Sequence, residues 1–325
     1  MKYGLQELLD LINKTIENFE WKKEPGKLYD PLRYTLSQKG KRIRPLMVLI
    51  AYQLYRDDCE RVVLPALAVE MFHNFTLIHD DIMDDAPLRR NMPTVMKKWN
   101  INVAILSGDQ MLLEAYKLLL KVDHRLLPAV LDKFNHIATQ VCEGQQWDMD
   151  FEDEEMIPVF RYLKMIEAKT SVLLGYSLWL GAMLGGSTVK DADRLFECGK
   201  NMGIAFQLQD DYLDLFGNSG QTGKRVGGDL LAGKKTYPVI KAFDIANHQD
   251  KQILLKCLHD RSLDDNFRIK TVLDIMHKYD VKSFVEDKIK DYMSLSWLLL
   301  DKLPVDPARK KNMFELMEML QIRKS

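Results

Sequence analysis

The chain has 325 residues and carries 46 Lys and Arg against 47 Asp and Glu. That length supports a large core, and the balanced charge excludes a molecule-wide polyanion binder, so no nucleic-acid partner is expected and any charge-based chemistry must be local. Four cysteines, Cys59, Cys142, Cys198 and Cys257, stand far apart without a Cys-x-x-Cys pair, which argues against a zinc knuckle or a disulfide framework and suits a reducing, cytoplasmic compartment.

The first segment, "MKYGLQELLDLINKTIENFE", is amphipathic with acids interspersed, unlike a signal peptide. Apolar residues recur at three and four there, and again in "LLEAYKLLLKV", "FRYLKMIEAKTSVLLGYSLWLGAML" and "FELMEMLQI". The pattern predicts one all-α domain over residues 1–325, built from roughly ten or more helices. Strand-like alternation is nearly absent. Breaks are expected around Pro25–Gly26, Pro87–Pro93, Gly217–Lys235 and Leu303–Pro307.

In chain order, "QKGKRIRP" comes first as a cationic motif. Lys41 and Arg44 lie three apart, which would put them near one face of a helix. Next is "FTLIHDDIMDDAPLRR", with Asp80, Asp81, Asp84 and Asp85 followed by Arg89 and Arg90. A helix turns about 100° per residue, so Asp80, Asp81 and Asp84 share one face. Asp210, Asp211 and Asp214 in "QLQDDYLD" repeat that spacing. Such clusters repel unless a cation sits among them. One cluster alone could be a solvated acidic face. Two with the same spacing, each preceded by apolar or amide residues, point to the lip of a core. All-oxygen carboxylates suit Mg²⁺, which takes one or two of them with phosphate oxygens and water. Two facing clusters could hold several Mg²⁺ ions around one diphosphate, with Lys169, Lys224 and Lys234 among the cations for its oxygens. "TGKRVGGDLLAGKK" mixes Gly with Lys as a loop over an anion would, but lacks the P-loop spacing GxxxxGK[ST]. Thr170 to Val189 is uncharged over 20 residues, yet holds four glycines, three serines and two threonines. A helix buried on all sides is expected there, and no transmembrane segment.

The chain resembles the isoprenyl diphosphate synthases, the trans-prenyltransferase family, over nearly its whole length. The motifs stand in the family's order: "GKRIRP" (40–45), "HNFTLIHDDIMD" (73–84), "RR" (89–90), "GDQML" (108–112), "GQQWD" (144–148), "EAKTSVLL" (167–174), "AFQLQDDYLD" (205–214) and "TGKRVGGDLLAGKKTYP" (222–238). The resemblance implies antiparallel helices around a deep central cavity, usually in a homodimer. It implies a short-chain synthase that condenses isopentenyl diphosphate with an allylic diphosphate to a C15 or C20 product. By position, Asp80, Asp81, Asp84 and Asp210 bind Mg²⁺ on the allylic diphosphate, about three ions per site, and Asp211 and Asp214 complete the second acidic wall, partly through water. Arg89, Lys169, Lys224 and Lys234 hold the allylic diphosphate. Lys41, Arg44, His73 and Arg90 hold that of isopentenyl diphosphate, and Thr170 and Gln207 line the reacting carbons. His79 takes a structural hydrogen-bonding role. The C-terminal Arg323 and Lys324 read as a solvated tail.

Three positions depart from the family's pattern. Asn91 replaces a Gly, Met96 replaces a His, and Asp85 stands where Asn or Gly is common. Asn is among the residues most tolerant of φ > 0 after Gly, so activity is expected to survive. For product length, Phe75 lies about 7–8 Å below Asp80 along a helix and Phe72 about 12 Å below. Thr76 stands four residues before Asp80. A floor at Phe75 favours a short product. Two other readings remain. A class I terpene cyclase would lack the isopentenyl group Lys41, Arg44, His73 and Arg90. A non-catalytic partner subunit would have lost aspartates or lysines that this chain keeps.

Overall fold

The computed structural model describes residues 2–217 and 226–321. Among them the only strands are two residues each, Leu88–Arg89 (β1) and Met92–Pro93 (β2), and the rest of the regular structure is helical. The chain divides into two compact units. The first comprises Met1–Phe134, Tyr176–Leu195 and Pro304–Leu316, and the second Asn135–Gly175, Phe196–Leu303 and Met317–Ser325.

In the first unit, α1 (Leu5–Glu17) buries Leu8 and Ile12, one turn apart. α2 (Gly26–Ser37) starts on Pro25, whose fixed φ suits a helix entry. α3 (Ile43–Gln53) is buried at every position from Pro45 to Gln53. α4 (Val63–Met83) carries the first aspartates at its C-terminal end. With the turn before it, Cys59–Met83 is long and apolar enough to cross a membrane, but 61% of its apolar window is buried inside the protein, as in a core helix. After the short α5 (Val95–Lys98), α6 (Ile101–Leu119) is capped by Asn100, whose side chain accepts from Val103 N. α6 packs tightly on α4: a Cβ on Gly108 would lie 2.2 Å from His79 Nε2.

α7 (Leu127–Asp150), α9 (Val172–Gly185) and α10 (Val189–Phe216) supply residues to both units. Residues 171–183 are all buried, as expected of the uncharged stretch. In the second unit, α8 (Val159–Ile166) runs into a π-helical turn, Glu167–Ser171, before α9. α11 (Gly228–Leu231), α12 (Tyr237–Ile245), α13 (His248–His259), α14 (Asp265–Lys278) and α15 (Val281–Asp301) follow in this unit, and α16 (Lys311–Gln321), which supplies residues to both units, closes the described chain. Their core includes Leu208, Ile240, Val272, Met276, Val281 and Val285. Of the expected breaks, Pro25–Gly26 falls at the start of α2 and Leu303–Pro307 follows α15, while Pro87–Pro93 holds the two short strands and Gly217–Lys235 contains the short α11, its residues 218–225 lying outside the described residues. All four cysteines are free.

Candidate active site

The first unit gathers the early motifs at the end of α4. The helix stops in a Schellman turn: Ala86 N donates to Asp81 O (2.9 Å) and Asp85 N to Ile82 O (3.3 Å). This turn puts Asp85 at φ +44, which explains why Gly or Asn suits the position and why Asp is tolerated there. Its carboxylate is paired with Lys97 Nζ at 2.7 Å. The β1–β2 hairpin follows. Leu88 pairs with Pro93 and Arg89 with Met92, leaving Arg90 and Asn91 as the two turn residues at φ +53 and +62. That is a type I′ pattern, for which Asn is well suited. The substitution of Gly by Asn91 is therefore accommodated. Met96 is buried on α5, just beyond Thr94 and Val95 of the cleft described below.

The three aspartates share a face but not an environment. Asp81 is buried and accepts from Arg89 Nε at 2.6 Å. Burial raises its pKa, and the Arg89 guanidinium opposes that shift. Asp80 is half-buried and Asp84 exposed at the helix end. A narrow cleft lined by Asn74, Asp81, Arg89, Arg90, Thr94 and neighbouring residues lies beside them.

Lys41 and Arg44 do not share a helical face. α3 begins only at Ile43, and Arg42 before it is left-handed, at φ 50°. Lys41 is exposed, whereas Arg44 turns inward and its Nη1 lies 3.0 Å from His73 Nε2. Arginine is always a donor, so His73 accepts at Nε2 and carries its proton at Nδ1. Burial, then the charges of Arg44, Arg90, Arg89 and Arg42, hold its pKa well below the usual histidine range, and the ring is neutral. Burial and the nearby Arg90 push Arg44 down to about 10, against the pull of Glu70. Arg44 Nε is buried without a hydrogen-bond partner among the described residues, a donor left over for an anion. His79 Nε2 donates to Ile105 O at 3.2 Å, the structural role expected of it.

The second unit gathers the later motifs around a cavity of about 170 Å³. Lys169 and Thr170 project into it from the π-helical turn, a geometry that recurs at functional sites. Two glycines make room for this turn. A Cβ on Gly144 of α7 would lie 2.3 Å from Lys169 N, and one on Gly203 of α10 would lie 2.6 Å from Ser171 Cα. Lys169 Nζ pairs with Asp148 Oδ2 at 2.7 Å. Gln207, Asp211 and Lys234 also line the cavity. Asp211 is buried and takes hydrogen bonds from Tyr162 OH, Tyr237 N (3.2 Å) and Gln207 Nε2 (3.2 Å). Burial raises its pKa to about 7 against those donors, with Asp229 adding to the rise. Asp210 is exposed. Asp214 faces the start of α11, where Asp229 N lies 3.3 Å from its Oδ2. Lys224, Arg323 and Lys324 lie outside the described residues.

Asp148, Tyr162 and Asp229 were not singled out from sequence. Asp148 closes the "GQQWD" motif, and that was its one available signal. Asp229 lies within the "TGKRVGGDLLAGKK" stretch, whose lysines drew the reading, whereas Tyr162 belongs to no motif and reaches the cavity only through folding. Phe75 is half-buried, with its ring 4.9 Å from that of His79 and 5.6 Å from that of Phe72. Phe72 is fully buried against Phe134 at 5.1 Å.

A family model described as polyprenyl synthetase matches residues 25–276. A geranylgeranyl diphosphate synthase of Methanosarcina mazei is 42% identical over 222 residues, 68% of either chain. A short chain isoprenyl diphosphate synthase of Methanocaldococcus jannaschii is 37% identical over 83% of this chain and 82% of that one. The crystal structure of a geranylgeranyl pyrophosphate synthase superposes with a TM-score of 0.94 at 37% identity, covering 99% of this chain and 100% of the other.

Proposed function

The chain belongs to the polyprenyl synthetase family, and from that premise we propose that it is a short-chain trans-isoprenyl diphosphate synthase making a C15 or C20 product. It joins isopentenyl diphosphate to an allylic starter of C5 to C15. One observation carries the reading: Lys169 and Thr170 stand on a π-helical turn in a cavity shared with Asp148, Gln207, Asp211 and Lys234. Relatives named geranylgeranyl diphosphate synthase support the C20 end of the range.

The donor set fits Mg²⁺. Among the described residues no three His, Cys, Asp or Glu groups form a metal cluster by themselves. A hard ion that takes one or two carboxylates and completes its shell from phosphate and water needs none. Asp84 and Asp210 are exposed and Asp80 and Asp214 half-buried, with Asp81 and Asp211 buried behind them. When bound, Mg²⁺ supplies charge neutralisation to the departing diphosphate. Arg89, Lys169, Lys224 and Lys234 hold the allylic diphosphate as its bond to carbon ionises. Lys41, Arg44, His73 and Arg90 hold isopentenyl diphosphate so that its double bond meets the allylic cation, and the released diphosphate accepts the proton then lost. Neutral His73 donates from Nδ1 and adds no charge of its own. Thr170 and Gln207 line the reacting carbons. Stabilising the leaving group is the main task, so the site holds charge and no nucleophile.

Phe75 forms the floor that limits the growing tail. The protein acts as a cytoplasmic homodimer, both units forming one catalytic domain. The four free cysteines support the compartment. The exposed Ile101, Leu106 and Leu113 of α6, with Leu120 just after it, support self-association. Incubation of the purified protein with Mg²⁺, labelled isopentenyl diphosphate and each allylic starter in turn tests the reading. A C15 or C20 alcohol after dephosphorylation is expected. A hydrocarbon from the allylic substrate alone would make the chain a cyclase, and no product at all a non-catalytic subunit.

A further inference from the structure

Arg42 and Glu70 form an ion pair at 2.6 Å, with side chains only 5% and 3% exposed. Neither belongs to the group that contacts substrate in the proposed reaction. An ion pair buried this deeply is a poor source of stability, because desolvation offsets its attraction. Its position suggests another role. Arg42 Nη1 donates to Glu70 Oε1 on α4, while Nη2 donates to Leu36 O (2.5 Å) and Gln38 O (2.9 Å) at the end of α2. One guanidinium therefore fastens three pieces of chain: the α2 terminus, the 38–42 loop and α4. Asn74, one turn on from Glu70, holds it from its own helix, with Nδ2 at 2.7 Å from Glu70 O and 3.3 Å from Oε1.

Each residue assigned to isopentenyl diphosphate hangs from this fastening. Lys41 precedes Arg42 directly. Arg44 follows it in the first turn of α3, and the left-handed backbone of Arg42 sets that turn. His73 sits one turn beyond Glu70 and meets Arg44 at 3.0 Å. Arg90 reaches across to the same loop, where a Cβ on Gly40 would stand 2.7 Å from its Nη1. Glu70 is also the acid whose charge reaches both Arg44 and Arg90.

We propose that the buried Arg42–Glu70 pair is a positioning device that holds the isopentenyl diphosphate cradle in shape and offsets its mutual repulsion. This rests on the assignment of Lys41, Arg44, His73 and Arg90 to that substrate. Arg42 serves its three acceptors from two nitrogens of one planar fork, a spread that a single ammonium nitrogen does not reproduce.

Two variants test it by steady-state kinetics, with far-UV circular dichroism to check the fold. Arg42→Lys keeps the charge and loses the fork. Arg42→Met combined with Glu70→Leu removes the pair without stranding a buried charge. Each is expected to raise KM for isopentenyl diphosphate about tenfold, the value of one charge-assisted contact, while KM for the allylic diphosphate stays within about twofold. Equal weakening of both substrates, an unchanged KM for both, or failure of both variants to fold assigns the pair to general stability and overturns the inference. Arg44→Ala separates this from the parent reading. If Arg44→Ala leaves KM for isopentenyl diphosphate unchanged, the cradle itself is misassigned. If it raises KM while the Arg42 variants do not, only the positioning role is lost.

Discussion

The two Asp-Asp-x-x-Asp motifs are alike in sequence and differ in surroundings. In both, the second aspartate is buried: Asp81 is 4% exposed and Asp211 2%. The first and third are more accessible in each case. Asp81 is answered by a full positive charge, Arg89. Asp211 is answered by dipoles, a tyrosine hydroxyl, a backbone amide and a side-chain amide. A carboxylate beside a guanidinium keeps its charge more readily than one held by neutral donors in a buried site. The lesson is that spacing sets which acids lie on one face, while the facing elements decide which of them ionise freely.

The largest expected effect tests the accessible members. Asp80→Asn and Asp210→Asn should each lower kcat by about a thousandfold at saturating Mg²⁺, read as labelled product per unit time. Normal turnover in either would break the equivalence of the two motifs. Gly144→Ala comes next. Its Cβ would collide with the Lys169 backbone, so a stability loss of about 1–3 kcal/mol is expected in urea melts, with activity falling further than stability predicts.

The pH response sharpens the contrast between the buried members. Asp211 has its folded pKa raised to about 7 from 3.8. Its stabilising contribution is thus fully present below about pH 4 and is lost as pH rises through about 7. The unfolding free energy of the parent relative to Asp211→Asn should fall across that window in metal-free urea melts. The corresponding comparison for Asp81→Asn should show a shallower slope, because Arg89 opposes the shift there. Equal slopes would mean that Arg89 does not offset burial.

Product length is the subtler readout. Phe75→Ala should lengthen the product by about one C5 unit, since the buried Phe72 and Phe134 lie behind it. Thr76 lies only about 40° round the helix from Asp80, against about 140° for Phe75. Thr76→Phe should therefore shorten the product, with chain length read by chromatography after dephosphorylation. The smallest effect is Asn91→Gly, which should change stability by less than about 0.5 kcal/mol, because φ +62 already suits either residue.

The helical class, the breaks at Pro25–Gly26 and Leu303–Pro307 and the positions of both acid motifs were legible in the sequence. They depend on local rules, the 3.6-residue period and the backbone limits of Pro and Gly, that act within a few residues. Asn91 belongs here too, since its tolerance of positive φ is a property of the residue alone. Lys41 and Arg44 mark where local reading stops. Their spacing suggested one helical face, but Arg42 between them is left-handed, with its side chain committed to Glu70 and to the end of α2, and α3 begins only at Ile43. Tyr162, Asp148 and Asp229 likewise gain their roles from partners far along the chain. The π-helical turn under Lys169 depends on the glycines of two other helices. Residue type and spacing determined which groups carry charge. Burial and long-range partners, absent from any short window of sequence, decided which of them stay neutral, which are paired and which remain available to a substrate.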